Sequence, residues 1–356
     1  MIHNFSAGPA ALPHVVLLQA QQELVDFRGR GLSLLEMSHR GPVYEAIHDE
    51  TQALLRELLG IGNDTAVLFM ASGARAQFAV VPMNLLEPGK KAGYVITGHW
   101  AEGALAEARK VGDTVVIATS GPAHDHIPEN KVLPSDLSYL HITSNNTMYG
   151  TQWQETAWPH SGDVPLVCDM SSDILCRPRN MNQFDLVYAG AQKNLGPAGT
   201  TVVLIKKHLL GRSRSHLPDV FNYCTVAESN SLLNTPPVFA IYMMGLQLKW
   251  LKAQGGAEGI GAINQRKAKK LYAAIDNSGG FYKAHAQENS RSIMNVCFRT
   301  PSAELDTQFW KDAEKAGLVG LKGHRIVGGL RASIYNAVPE ASVDALTAFM
   351  AEFSRS

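Results

Sequence analysis

The stretch 185–205, DLVYAGAQKNLGPAGTTVVLI, decides how this chain is read. Its two apolar runs, 185–189 and 201–205, are short and rich in Val, Leu, Ile and Tyr, and a turn of Gly, Pro and Ala separates them. They read as buried strands. Lys193 then stands on the loop at the carboxyl end of the first strand, the edge at which open α/β sheets bind ligands. Outward from it, similar runs recur at 66–70, 92–97, 114–119, 139–143 and 165–169, alternating with helical or loop segments. The alternation predicts an α/β fold whose large domain is a mostly parallel seven-stranded sheet covered by helices on both faces. A helix is expected over 43–59, stopping at Gly60, and another over 236–251, entered through prolines and broken by Gly255–Gly256. The last hundred residues read as a smaller α+β domain: helix 260–275, strand 292–298, helix 303–316, a strand near 331–335 and a final helix from Glu340. The division expected is 16–255 for the large domain, with 1–15 crossing to join 256–356 in the small one.

Composition narrows the classes of partner. With 32 Lys+Arg against 32 Asp+Glu in 356 residues, the formal charge is zero, and no run of like charge would track a nucleic acid or an anionic membrane. Cys168, Cys176, Cys224 and Cys297 form no C-x-x-C pair, so neither a zinc ribbon nor a disulfide framework is expected, and no metal. The beginning, MIHNFSAGPAALP, lacks the features of a signal peptide, and no apolar run is long enough to span a bilayer. A cytoplasmic location is the expectation.

A lysine taken at random is a solvated surface residue. Lys193 differs in its small, uncharged neighbours and its rigid Gly-Pro-Ala-Gly turn, which favour a neutral amine of the kind Schiff-base chemistry needs. Asp169 ends the run PLVCD and emerges at the same edge if the two strands are neighbours; it either caps the following SSD turn or pairs with a pyridine nitrogen. Lys193 and Asp169 together point to pyridoxal 5'-phosphate. Ser72-Gly73-Ala74-Arg75 opens a helix expected over 76–86, where backbone N–H groups cradle a phosphate or simply make a tight turn. It matches neither G-x-x-x-x-G-K-[ST] nor G-x-G-x-x-G, so a nucleotide fingerprint is not supported. Trp100 follows a strand end and either stacks on a cofactor ring or packs in the core.

These segments carry a resemblance that runs nearly end to end: NFSAGPAALP (4–13), MSHRGPVYEAIHDE (37–50), ASGARAQFAVVPMNLL (71–86), Asn146-Thr147, CDMSSDILCRPRN (168–180), YAGAQKNLGPAGTTVV (188–203), NTPPVFAIYMMGLQLKWL (234–251) and GHRIVGGLRASIYNA (323–337). The chain resembles the phosphoserine aminotransferases, fold-type I, class V pyridoxal-phosphate enzymes of serine biosynthesis. The resemblance implies that Lys193 holds the cofactor as a Schiff base, Asp169 pairs with its ring nitrogen, Trp100 stacks on it and Thr147 hydrogen-bonds it. Gln192, Ala74 and Arg75 would help hold its phosphate, with Asn234 and Thr235 reaching that phosphate from the neighbouring subunit of a homodimer with shared active sites. The chain departs from the family at Ser72-Gly73-Ala74, where two or three glycines or a serine are frequent, and at Ala7, where a serine is common.

A phosphorylated amino acid carries an anion at each end, so its site needs two cationic clusters. Arg331, in an otherwise apolar strand, is the candidate for bidentate capture of the α-carboxylate. His39, Arg40, Arg75, His324 and Arg325 are the candidates for the phosphate, although a His-Arg pair in a Gly-flanked loop is also an ordinary solvated turn. The expected activity is a ping-pong transamination in which L-glutamate and 3-phosphohydroxypyruvate give 2-oxoglutarate and O-phospho-L-serine. Resemblance also allows a phosphorylated hydroxythreonine of pyridoxine biosynthesis. Two rivals are a cysteine desulfurase, which needs a cysteine on a mobile loop, and a non-catalytic phosphoanion-binding protein.

Overall fold

A computed structural model describes residues 2–129 and 131–355. Two helices, α1 (His14–Glu23) and α2 (Pro42–Leu59), precede the main sheet. Helix α2 spaces its apolar residues by three and four and buries Tyr44, Ile47, Leu54, Leu55 and Leu59 on one face. It ends where Gly60 turns left-handed at φ 62°, its N–H returning to the carbonyls of Arg56 and Glu57.

The chain then runs through β1 (Thr65–Met70), α3 (Gln77–Leu85), β2 (Lys91–Ile96), α4 (His99–Ala108), β3 (Thr114–Thr119), β4 (Leu137–Thr143), β5 (Leu166–Asp169), β6 (Leu186–Gly190) and β7 (Thr201–Lys206). All seven expected strands form, in one sheet of order β1-β7-β6-β5-β4-β2-β3. Strand β7 is antiparallel to both its neighbours and every other pair is parallel. Helices cover both faces, so the inner strands are buried but for Lys91 and Lys206 at their ends: along β4, Tyr139 enters one core while Leu140 and Ile142 enter the other. Strand β3 is an edge strand and is only half-buried. Helix α5 (Val238–Ala253) packs on α2.

A second lobe contains α6 (Gly256–Asp276), β8 (Asn295–Arg299), α7 (Ala303–Lys315), β9 (Leu330–Ser333) and α8 (Glu340–Phe353), with Lys283–Ala284 completing a three-stranded antiparallel sheet. Helix α6 starts four residues before the expected 260, directly at the break, where Gly255 (φ 88°) and Gly256 (φ 66°) are both left-handed. The strand expected over 292–298 starts only at Asn295. Ser292 Oγ accepts the N–H groups of Met294 (3.0 Å) and Asn295 (2.9 Å), which keeps those donors out of the ladder. The helix expected over 76–86 is one residue shorter at each end and follows a tight 3-10 turn, Ala74–Ala76. His3–Asn4 pair in parallel with Leu318–Val319, and Phe5 is fully buried in the core of this lobe, so the start of the chain does cross to it.

Buried asparagines join the lobes. Asn264 Nδ2 donates to the Cys176 carbonyl and to Asn336 Oδ1, both at 2.8 Å, and Asn336 Nδ2 to the Leu175 carbonyl at 3.0 Å. Asn145 Nδ2 donates to Asn295 Oδ1 at 2.7 Å and Ser292 Oγ to Asn145 Oδ1 at 2.6 Å. Lys267 of α6, fully buried, donates through Nζ to the carbonyls of Ile334 (3.0 Å), Tyr335 (2.8 Å) and Val338 (3.0 Å). Lys267→Met keeps the apolar stem but leaves the Ile334 and Val338 carbonyls without this donor, while that of Tyr335 retains the Val338 N–H, so urea denaturation should show a loss of about 2 kcal/mol. A loss near zero would mean that these carbonyls find other donors.

Candidate active site

Lys193 sits where the sequence places it, just past β6. Its loop is closed on itself: the Ala191 N–H donates to the Thr200 carbonyl (2.9 Å), and the Gly196 N–H returns to the Ala191 carbonyl (2.8 Å). Both chain neighbours of the lysine are tied down. The Gln192 carbonyl accepts the Ala10 N–H (2.9 Å), while the Asn194 side chain donates to the Ile174 carbonyl (3.0 Å) and accepts the Asn336 N–H (3.1 Å). Gly8 lies against the lysine stem at φ 141°, a backbone conformation open to glycine, and a Cβ there would come within 3.5 Å of Lys193 Cγ. The backbone thus sets the direction in which the lysine leaves the loop.

That tip meets the large and small lobes at one residue. Lys193 Nζ donates to Thr147 Oγ1 at 3.0 Å, and Arg331 of β9 donates to the Thr147 carbonyl at 3.4 Å. Asp169 ends β5, which pairs in parallel with β6, so the carboxylate emerges at the lysine's edge of the sheet. Asp169 Oδ1 accepts the Ser171 N–H at 2.9 Å, so the residue does cap the turn that follows, with carboxylate capacity left over. Burial raises the Asp169 pKa, partly offset by the Ser171 hydrogen bond and Lys193. Burial also pushes Lys193 down to about 8; Asp169 opposes that shift and Arg331 reinforces it.

A cavity of about 360 Å³ opens over these groups. It collects Lys193, Asp169, Thr147, Gln192, Trp100, Ala74, Arg75, His324 and Arg331, nine of the residues singled out from sequence. Trp100 comes from the first turn of α4, whose N-cap is Gly98; a Cβ on Gly98 would press within 3.0 Å of both Asn146 Oδ1 and the Tyr149 ring. His324 stands with its ring centroid 6.3 Å from that of His99, and partial burial, then the charges of Arg331, His99 and Arg325, lower its pKa. His39, Arg40, Arg325, Asn234 and Thr235 do not line this cavity: Arg40, Arg325, Asn234 and Thr235 are exposed, and Asn234 borders a separate surface groove. Cys297 lies buried in β8 with its thiol pushed up to about 12, the opposite of a mobile-loop nucleophile.

The class-V aminotransferase family model matches residues 2–346. The chain belongs to that family. It is 53% identical over 358 residues to the phosphoserine aminotransferase of Niallia circulans, covering 99% of this chain and 98% of the relative. Among solved structures, the phosphoserine aminotransferase of Bacillus circulans subsp. alkalophilus superposes with a TM-score of 0.98 at 53% identity, covering 100% of this chain and 99% of that one. The PLP-bound phosphoserine aminotransferase of Trichomonas vaginalis gives a TM-score of 0.93 at 36% identity, covering 99% and 100%.

The cavity fits the cofactor of class-V aminotransferases on its own chemistry. Trp100 Nε1 and Arg331 Nε are buried without a hydrogen-bond partner, Asp169 carries a carboxylate into the pocket floor, and Gly73-Ala74 present backbone at the start of α3. Thr143, Asn145, Ser171 and Ser172 also line it and escaped the sequence reading. Thr143 was within reach, being the last residue of a strand expected to end at the ligand edge. Asn145 sits in a two-residue strand, paired with Thr151–Gln152, that is too short to carry a pattern, and Ser172 in a turn. In cofactor-free protein, Lys193 should acylate with a midpoint near pH 8. Asp169→Asn should lower that midpoint, because a carboxylate that favours the ammonium is gone, and Arg331→Gln should raise it. Mass spectrometry of the Lys193 peptide across pH checks both signs.

Proposed function

We propose that this chain transfers the amino group of L-glutamate to 3-phosphohydroxypyruvate, giving 2-oxoglutarate and O-phospho-L-serine, with pyridoxal 5'-phosphate held on Lys193. The observation that carries this is one cavity in which a lysine and a buried carboxylate at the sheet edge face cationic side chains from both lobes, Arg75, His324 and Arg331. The family membership and the relatives named phosphoserine aminotransferase support the same reading.

Pyridoxal phosphate, when bound, supplies a ring that takes up the electron pair left when the substrate α-carbon loses its proton. The chain does the rest. Asp169 keeps a proton on the ring nitrogen, Trp100 covers the ring and excludes water, and Thr147 hydrogen-bonds the cofactor. Gln192 and the Ala74-Arg75 turn hold its phosphate. Lys193 Nζ, with its pKa brought to about 8 by burial, takes a proton from the α-carbon of the amino donor and delivers one to the α-carbon formed from the keto acceptor. Thr147 Oγ1, 3.0 Å away, orients that amine. Arg331 offers its planar fork to the α-carboxylate, and Arg75 and His324 face the far anion, which is a phosphate on one substrate and a carboxylate on the other, with Arg325 exposed outside the cavity next to His324.

The reading includes a homodimer in which His39, Arg40, Asn234 and Thr235 serve the site of the second copy. Exposed Val15, Leu17, Leu18, Val25 and Leu35 near the start of the large lobe support such an interface, and so does the buried, unpartnered Nε2 of His39. It also includes a cytoplasmic location. Among the described residues, no helix is long and apolar enough to cross a membrane. The domain division proposed is 16–255 and 1–15 with 256–356, of which Met1, Asn130 and Ser356 lie outside the described residues; the separate core around Phe5, Phe298 and Phe309 supports it. A phosphorylated hydroxythreonine, the substrate of pyridoxine biosynthesis, fits the same two-anion cavity.

Half-reactions test the assignment. O-Phosphoserine and L-glutamate should convert the cofactor absorbance of the holoenzyme, with L-serine and L-alanine at least roughly a hundredfold less efficient, because an unpaired cationic pocket penalises a substrate lacking the anion. Equal efficiency for L-serine would refute the phosphate pocket. Lys193→Ala should abolish turnover, and Arg331→Lys should cut kcat/KM by roughly a hundredfold for both amino donors, since a lysine cannot reproduce the bidentate grip. Steady-state kinetics on the purified variants measures both.

A further inference from the structure

Thr143 is the one strand residue of the cavity to which no role has been given. It ends β4, which pairs in parallel with β5, and the register sets Thr143 directly opposite Asp169. Residues in register on adjacent strands present their side chains on the same face about 5 Å apart, within reach of a hydroxyl and a carboxylate. The side chain is 3% exposed, lines the cavity, and its Oγ1 is buried with no protein group in hydrogen-bonding range. Packing alone favours valine at such a place, because a buried unpaired hydroxyl is unfavourable and Val has the same shape. On the far side of Asp169, Tyr188 has its hydroxyl engaged with His141 Nε2 at 2.9 Å. Of the two flanking hydroxyls, Thr143 is the one that is free.

We propose that Thr143 is a positioning residue for Asp169: its hydroxyl, unpartnered in the structure described, turns to donate to the neighbouring carboxylate when pyridoxal phosphate is bound, holding it ionised and oriented toward the ring nitrogen. A carboxylate accepts at several lone pairs, so the Ser171 N–H, the Thr143 hydroxyl and the ring N–H are satisfied together. The inference rests on pyridoxal phosphate occupying this cavity.

The test uses cofactor-free full-length protein and the variants Thr143→Val, Thr143→Ser and Asp169→Asn, read by equilibrium dialysis against pyridoxal phosphate and by thermal unfolding. Thr143→Val should weaken cofactor binding roughly tenfold while leaving the unfolding midpoint of the cofactor-free protein unchanged or raised, since the lost hydroxyl has no protein hydrogen bond to give up. Thr143→Ser should restore the affinity. In the Asp169→Asn background, Thr143→Val should add no further loss, the signature of action through Asp169. Wild-type affinity in Thr143→Val, a full additive loss in the Asp169→Asn background, or a lowered midpoint accounting for the weaker binding would each overturn the proposal. Failure of the underlying reading looks different: wild-type protein would not bind pyridoxal phosphate, or Asp169→Asn would bind it undiminished.

Discussion

The parallel pairing of β5 with β6 places Asp169 beside Tyr188, so a carboxylate and, five residues on, a lysine leave the sheet at one edge. Lys193 there is subject to opposing influences. Burial and the Arg331 charge disfavour its ammonium form and Asp169 favours it, and the balance leaves an amine near pH 8 that can both hold and release a proton. Neither lobe could supply this alone. Asp169 belongs to the large sheet, Arg331 to the small one, and Thr147 is bonded to both Lys193 and Arg331.

A second buried charge pair supports the first. Asp173, 0% exposed, lies 2.6 Å from the Arg179 guanidinium and also accepts from Gln152 Nε2 (2.9 Å). Burial opposes its ionisation, yet Arg179 and these hydrogen bonds hold its carboxyl below the usual range. The Ser144 hydroxyl is shared between Asp173 and the Asp169 carbonyl, which also takes the Ser144 N–H. Such a pair adds little net stability over an apolar substitute. Here it fixes the path of the turn that begins at Asp169, and with it the direction of the Asp169 carboxylate.

The sheet was legible from sequence because buried parallel strands leave continuous apolar runs, and all seven appear with ends shifted by two residues or fewer. Strand ends name the ligand edge, which is why Lys193, Asp169 and Trp100 could be found without coordinates. Shifts arose where a side chain competed with the ladder, as Ser292 does ahead of β8, or where the helix resumed directly at a glycine break, as it does at Gly255–Gly256. The polar contacts between lobes stayed hidden. Asn145, Asn264, Asn295 and Asn336 lie up to 191 positions apart, and nothing in composition or period marks one asparagine as the partner of another. Asn234 and Thr235 are a different case, since their reading rests on resemblance, and they lie outside the cavity together with His39 and Arg40, which were read from their charge.

The asparagine seam bears on how substrate binding divides its free energy. An apolar contact between lobes tolerates small slides and rotations, since burial is non-directional, whereas the Asn145–Asn295 amide pair at 2.7 Å and the bond from Asn264 to the Cys176 carbonyl at 2.8 Å accept only one register. The seam therefore acts as a jig, setting the distance between the Arg331 fork and the Lys193 amine when the chain folds. A substrate arriving in the cavity meets a span already cut to its length. Its binding energy is then available to discriminate between anions rather than to assemble the lobes around it.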